Sequence, residues 1–333
     1  MERQHMGIGD NMQVMRPKRW NSEGFTLVEI LIAITITVVV MGSIFYAFKS
    51  QQDSYVVQSQ VTTMQQTLRG GMYMLTRDVQ MAGYYTNFDP DDYTMDWDNL
   101  DGDNETIRPL LYVRNDVTGV TGIRNNTDVI VIVKANLTEG RELTSTEHAS
   151  GSTLSLTTND LDGDGDDDLA DKCGVLVQSD LSRAEFVQLD GSGNLVGSLT
   201  ESYSQGDRIH RADVIKYYVD DNPDRPGLRR HNLGNNESGG QLVAENIENL
   251  QVRYQLNSGT WVDDPHNPPS YTAANVRAVQ IFLVARTDHT IRGWNDTEAY
   301  PMWAGATYTA PTADSGFRRK ILCSTTEIRN LGS

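Results

Sequence analysis

A chain of 333 residues is longer than one small core needs and has room for one large or two modest globular units. Its formal charge of −17, from 28 Lys and Arg against 45 Asp and Glu, repels nucleic acid and excludes a polyanion-binding role carried by net charge. Two cysteines, Cys173 and Cys323, form no zinc pattern. They either close one long loop in an oxidising compartment, worth about 4–5 kcal/mol in the chain-entropy view, or remain two free thiols.

In chain order, residues 1–24 place Arg16, Lys18 and Arg19 just before an apolar run, the arrangement that keeps a leading end cytoplasmic. Phe25 to Phe48 then reads FTLVEILIAITITVVVMGSIFYAF, in which Glu29 is the only acidic or basic side chain. As a helix those residues span about 36 Å, enough for a bilayer core of about 30 Å. Lys49-Ser50-Gln51-Gln52 follows with no A-x-A cleavage site, so the apolar helix is expected to be retained. A carboxylate in hydrocarbon costs several kcal/mol unless it is paired, so Glu29 needs a partner.

Gly24-Phe25-Thr26-Leu27-Val28-Glu29 resembles the type IV prepilin signature. The resemblance implies a leader at 1–24, cleavage by a prepilin peptidase between Gly24 and Phe25, and N-methylation of Phe25. The freed ammonium of Phe25 then meets Glu29, either its own or that of an adjacent subunit, and sets the register of assembly. The resemblance also implies insertion in the bacterial inner membrane with the remainder in the periplasm. From there an assembly platform would pass the protein into an extracellular pilus. No proline interrupts the apolar helix, where Gly42 alone could loosen it.

Beyond the apolar segment 25–48, the helix is expected to continue through 49–84. Val57, Val61, Met64, Leu68, Met72, Leu75, Val79 and Ala82 recur at spacings of three and four and form one stripe for packing. Gly70-Gly71 weakens its middle and invites a bend, and Gly83 ends it. Residues 85–127 read as loops with one strand at Pro109–Val113. Strands are expected at Asp128–Lys134, Ser152–Thr157, Gly174–Gln178, Ala184–Leu189, Asp213–Val219, Glu248–Leu256 and Val276–Ala285. The Pro- and Gly-bearing turn Asp221–Gly227 joins Asp213–Val219 to Leu228–Asn232 as a hairpin. The fold class is therefore α+β: a long N-terminal helix, membrane-spanning in its first half, packed on a mostly antiparallel β head over 85–333.

Within the head, residues 158–171 fit the spacing of a calcium loop. Asp160, Asp162 and Asp164 fall at positions one, three and five, Gly165 at six, Asp166 offers its carbonyl, and Asp171 stands at twelve, where a longer glutamate is usual. Either calcium or full solvation must offset the mutual repulsion of these aspartates. Six scattered histidines show no metal spacing, and no nucleophile elbow or phosphate-binding loop is present, so no enzyme is expected. Trp294 and Trp303 could line a groove or belong to the core.

Val243–Tyr254 (VAENIENLQVRY), with Gly316–Lys320 and Thr326–Asn330 as a closing strand, is similar to the PilW family of minor pilins. That resemblance implies a rare or tip-located minor pilin with other pilins as partners and no nucleic acid. A minor pseudopilin of a type II secretion machine and a calcium-dependent tip adhesin are the alternatives.

Overall fold

The computed structural model describes residues 24–84, 111–148, 150–151, 153–156, 158–161, 165, 167–170, 172–235, 239–263, 276–303 and 305–329. One helix, α1 (Leu27–Gln80), runs for 54 residues without a break, because its sequence has no proline and is rich in Leu, Ile, Met and Gln. It stops where Gly83 takes a left-handed φ of 69°, and the Gly83 N–H donates to the Val133 carbonyl at 2.9 Å. The chain divides into two compact units, one up to Val56 and one from Val57 onward.

In the first unit every residue from 27 to 56 is exposed. The apolar stretch is long and apolar enough to cross a membrane by length and composition. Its hydroxyls are satisfied internally: Thr35 donates to the Leu31 carbonyl (2.8 Å), Thr37 to Ala33 (2.7 Å) and Ser43 to Val39 (2.9 Å). Hydrocarbon requires that self-sufficiency of any polar group it surrounds.

In the second unit the strands in chain order are β1 (Leu111–Val117), β2 (Thr127–Glu142), β3 (Cys173–Val177), β4 (Ala184–Gln188), β5 (Arg208–Val219), β6 (Gly227–Asn232) and β7 (Gln241–Glu245). They continue with β8 (Ile247–Leu256), β9 (Trp261–Val262), β10 (Val276–Arg286), β11 (Ala299–Trp303), β12 (Ala306–Thr309) and β13 (Arg319–Glu327). The larger sheet runs β1-β2-β5-β3-β4, with β6 joined to β5 and β7 to β6. The 12-residue β5 serves two neighbours on one side: Arg208–Arg211 pairs with β3, and Ile215–Val219 pairs with β6. The second sheet runs β13-β10-β8-β9, and β11 and β12 form a separate ribbon. All pairings are antiparallel.

Alternation along β2 explains the layering. Ile130 and Ile132 join the core beneath α1, and Val129, Val131 and Val133 pack on the opposite face with Cys173, Val175 and Val214. Under α1, Met64, Leu68, Met72, Leu75 and Val79 meet residues of both sheets, including Tyr217, Leu250, Ile281 and Leu283. A third cluster, including Leu143, Leu161, Leu169 and Tyr203, closes the loop-rich end.

Two expectations need correction and a third holds. Gly70-Gly71 makes no break in α1. Gly70 faces open space, but a Cβ on Gly71 would stand 2.9 Å from the Ala244 Cβ and 3.3 Å from Leu228, so that glycine permits close approach rather than bending. Residues 153–156 are not strand: the Thr144 N–H donates to the Ser155 carbonyl at 2.8 Å, but the Ser155 N–H goes to the Glu147 carboxylate at 2.9 Å rather than to a backbone ladder. The hairpin through Asp221–Gly227 forms as expected, with Asp220 accepting the Gly227 N–H at 2.9 Å and the Arg229 guanidinium at 2.7 Å.

Candidate assembly segment and head sites

Gly24, Phe25 and Thr26 precede the first turn of α1 in non-helical conformation. Gly24 and Phe25 are exposed. Thr26 and Glu29 form a reciprocal capping box. The Thr26 N–H and Oγ1 each donate to Glu29 Oε2 at 3.1 Å, and the Glu29 N–H donates to Thr26 Oγ1 at 3.2 Å. Glu29 therefore has an intrachain partner at the N-terminal end of the apolar run, where the helix dipole also favours an anion. The signal was in the sequence as Thr-x-x-Glu before an apolar stretch; the box supplies a holding geometry for the acid beside its proposed role toward Phe25.

Asp78 is the one carboxylate buried within the apolar stripe of α1, and sequence periodicity gave it no role. Lys134 Nζ stands 3.2 Å away on β2, Tyr217 Oη donates at 2.6 Å from β5, and Arg230 Nε donates at 2.8 Å from β6. Burial alone would raise this carboxyl, but the bonds from Tyr217 and Arg230 and the charge of Lys134 prevail and hold it below its ordinary value. One acid on the helix thus pins three adjacent strands of the sheet.

A second buried network joins the two segments that carry the family resemblance. Glu248 on β8 accepts from Arg319 Nε on β13 at 2.5 Å and from the Tyr308 hydroxyl on β12. Arg319 also donates to Asp296 at 3.0 Å, and Tyr300 bonds the same carboxylate. Arg286 on β10 is 1% exposed; it stands 4.0 Å from Glu248 Oε2 and donates to the carbonyls of Pro223 and Asp224 at 2.9 and 2.7 Å. Burial would lower the Arg319 guanidinium, yet its bonds to Glu248 and Asp296 raise it, so the charged pair is the stable state.

Of the calcium-loop residues, Asp160 is placed: its Oδ2 accepts the Gly165 N–H at 3.0 Å, across a glycine with φ of 98°. Asp162, Asp164, Asp166 and Asp171 lie outside the described residues. The neighbouring acids are engaged by the protein. Asp167 accepts the Leu169 and Ala170 amides at 2.9 and 2.8 Å, and Asp168 accepts the Leu161 N–H at 2.7 Å beside Arg211 (3.5 Å) and Lys172 (4.0 Å). No group of three or more metal-ligating side chains assembles among the described residues.

Cys173 and Cys323 do not form the bridge that the sequence allowed. Both are free: Cys173 is buried on β3 of the larger sheet, and Cys323 is exposed on β13 of the other. Burial pushes the Cys173 thiol up to about 12, which leaves it protonated and unreactive. Trp294 is 38% exposed beneath the Arg318 guanidinium, whereas Trp303 packs with Phe282 and Arg253 at the lip of a cavity.

Residues 216–330 match the family described as Type IV Pilus-assembly protein W, and residues 21–45 match the Prokaryotic N-terminal methylation motif. No curated protein matches the chain. Among solved structures, a type IV-like pilin from Thermus thermophilus aligns with 80% of this chain and 97% of its own, at 12% identity and a TM-score of 0.35.

Proposed function

We propose, for a chain whose residues 216–330 match the Type IV Pilus-assembly protein W family and whose residues 21–45 match the prokaryotic N-terminal methylation motif, the role of a minor pilin of the PilW family. The protein is structural rather than enzymatic, and its family ties it to the pilus machinery and to the prepilin peptidase. It starts as a membrane protein held by its apolar helix and moves from there to the pilus.

In this reading the peptidase cuts after Gly24, Phe25 is methylated, and residues 25–48 leave the bilayer to join a bundle of equivalent helices from other pilins. The observation that carries the proposal is the apolar half of α1: every side chain is exposed, its hydroxyls are closed on its own backbone, and its lone acid is held at one end. Such a surface needs a non-aqueous neighbour, first lipid and then other helices. A head with two sheets and a ribbon is larger than a shaft subunit needs, which favours a rare or tip position. The PilW match favours a pilus over a type II secretion filament.

The test is Glu29→Ala. The variant is expected to be processed after Gly24 at the normal rate and to be missing from sheared filaments. Normal incorporation of this variant would end the proposal.

A further inference from the structure

The β-rich unit contains a cavity of about 460 Å3 between the β1–β2 connection, β8 and the β11–β12 ribbon. Its size falls in the range of small-molecule sites, about 300–1,000 Å3, but its chemistry does not follow the apolar rule for such sites. Four carboxamides line it, those of Asn125, Asn126, Asn249 and Gln251, with Trp303 and Tyr308 contributed by the ribbon. A smaller cavity of about 410 Å3 shares Arg124 and Asn125 with it and continues along Thr121 and Asp221.

Two acceptors in the wall are buried without a hydrogen-bond partner. Asn249 is 8% exposed; its amide N–H2 donates to the Asn126 carbonyl at 3.2 Å, and its Oδ1 receives nothing. Glu248 is 1% exposed; its Oε1 is taken by Arg319 and Tyr308, and its Oε2 receives no hydrogen bond. Buried acceptors are rarely left so; Glu248 Oε2 has Arg286 at 4.0 Å to answer its charge, whereas a donor arriving in the cavity would satisfy Asn249. The charge at the site is balanced. The guanidinium of Arg124 makes no ion pair among the described residues, Asp116 accepts from Gln251 at 3.2 Å, and the Glu248 charge is answered by Arg319 and Arg286.

We propose that this cavity is a binding site for a neutral saccharide. Each ring hydroxyl is both donor and acceptor, and the wall offers both functions: the amide N–H2 of Asn125, whose Oδ1 is taken by the Gly119 N–H, and the carbonyl oxygens of Asn249 and Gln251, whose N–H2 groups are turned to Asn126 and Asp116. The fork of Arg124 adds donors, and the orphan oxygen of Asn249 takes a hydroxyl proton. Trp303 and Tyr308 add aromatic surface to the wall, the Tyr308 hydroxyl being already given to Glu248, and suit a ligand with apolar ring faces. A polyanion gains nothing from a wall that carries two carboxylates, and an apolar ligand would leave Asn249 Oδ1 unsatisfied. The adjoining cavity gives length for more than one sugar ring.

The test is saturation-transfer NMR on the full-length protein in detergent, with lactose, maltose, cellobiose and N,N′-diacetylchitobiose as probes. At least one is expected to receive magnetisation. Two variants at accessible positions of the wall keep the fold as judged by an unchanged melting temperature: Arg124→Ala removes the donor fork, and Thr307→Trp fills the mouth. Each is expected to weaken binding about tenfold or more, equivalent to about 1.4 kcal/mol. No transfer to any of the four sugars, or transfer that survives both variants, would overturn the proposal. A signal from tetraglycine in place of the sugars would assign the cavity to polypeptide and overturn it as well. No filament is needed, so failure here leaves the pilin reading where it stands.

Discussion

Residues 27–56 and residues 57–80 belong to one unbroken helix, yet they bury their side chains by different rules. The first stretch leaves every side chain exposed, Leu, Ile, Val and Phe included. The second hides Met64, Leu68, Met72, Leu75 and Val79 and turns Arg69, Tyr73, Arg77 and Gln80 outward. A helix that is apolar on one stripe can satisfy that stripe with its own chain; one that is apolar all round cannot, and needs a medium or a partner that is itself apolar. The acid of the apolar run, Glu29, and the acid of the buried stripe, Asp78, follow the same division, while Asp53 lies past the apolar run on the exposed helix. Asp78 is answered by Lys134, Tyr217 and Arg230 from distant strands, and Glu29 by Thr26 three residues away. Stability of the fold therefore resides in the second stretch, and the proposed assembly function in the first.

The strongest way to break that division is at the two acids. Asp78→Ala is expected to destabilise the head by about 3–5 kcal/mol at neutral pH, because it leaves Lys134 and Arg230 without their buried counter-charge. Glu29→Ala is expected to leave the denaturant midpoint of the head unchanged. The Asp78 carboxyl is held below its ordinary 3.8, so its contribution is complete above that pH and is lost as pH falls through the lower folded-state value. Urea titrations at pH 7 and pH 3 should show the Asp78→Ala penalty shrinking in acid; an equal penalty at both would refute the ionic anchor.

A smaller effect comes from deleting methylenes. Leu75 is fully buried, and Leu75→Ala is expected to cost about 3 kcal/mol, whereas Val38→Ala in the exposed stretch should shift the same transition by less than about 0.5 kcal/mol. Equal losses at the two positions would mean that the apolar half also supports the fold.

The smallest effects come from the neighbouring glycines and should differ in sign. Gly70→Ala enters open space on a helix and is expected to stabilise by up to about 1 kcal/mol. Gly71→Ala drives a methyl toward Ala244 and Leu228 and is expected to destabilise by about 1–3 kcal/mol. Thermal melts of the pair settle whether close packing or flexibility explains the doublet.

Much of this was legible from local pattern. The apolar run, the three-four stripe, the strand at DVIVIVK and the Pro-bearing hairpin depend on spacing within a few residues, and each was found where expected. The ribbon β11–β12 and the short β7 and β9 were not foreseen, because two to five half-exposed residues carry no periodic signal. The Asp78 anchor and the Glu248–Arg319 pair were hidden for a different reason. Their partners lie 56 to 152 residues apart in sequence, a separation that only the sheet order closes. The Thr26–Glu29 box is an opposite case, a purely local motif overshadowed by the prepilin signature it sits inside. The wall of the cavity draws on β8, the β1–β2 connection and the ribbon together, so no single segment announces it.

The measurement that bears most directly on the whole account is intact-mass and N-terminal peptide analysis of the protein recovered from sheared extracellular filaments. The account predicts a chain beginning at Phe25 with one methyl group on its amine and the apolar helix intact. A filament-borne chain still beginning at Met1, one cut beyond Phe48, or filaments that never contain it, would contradict it.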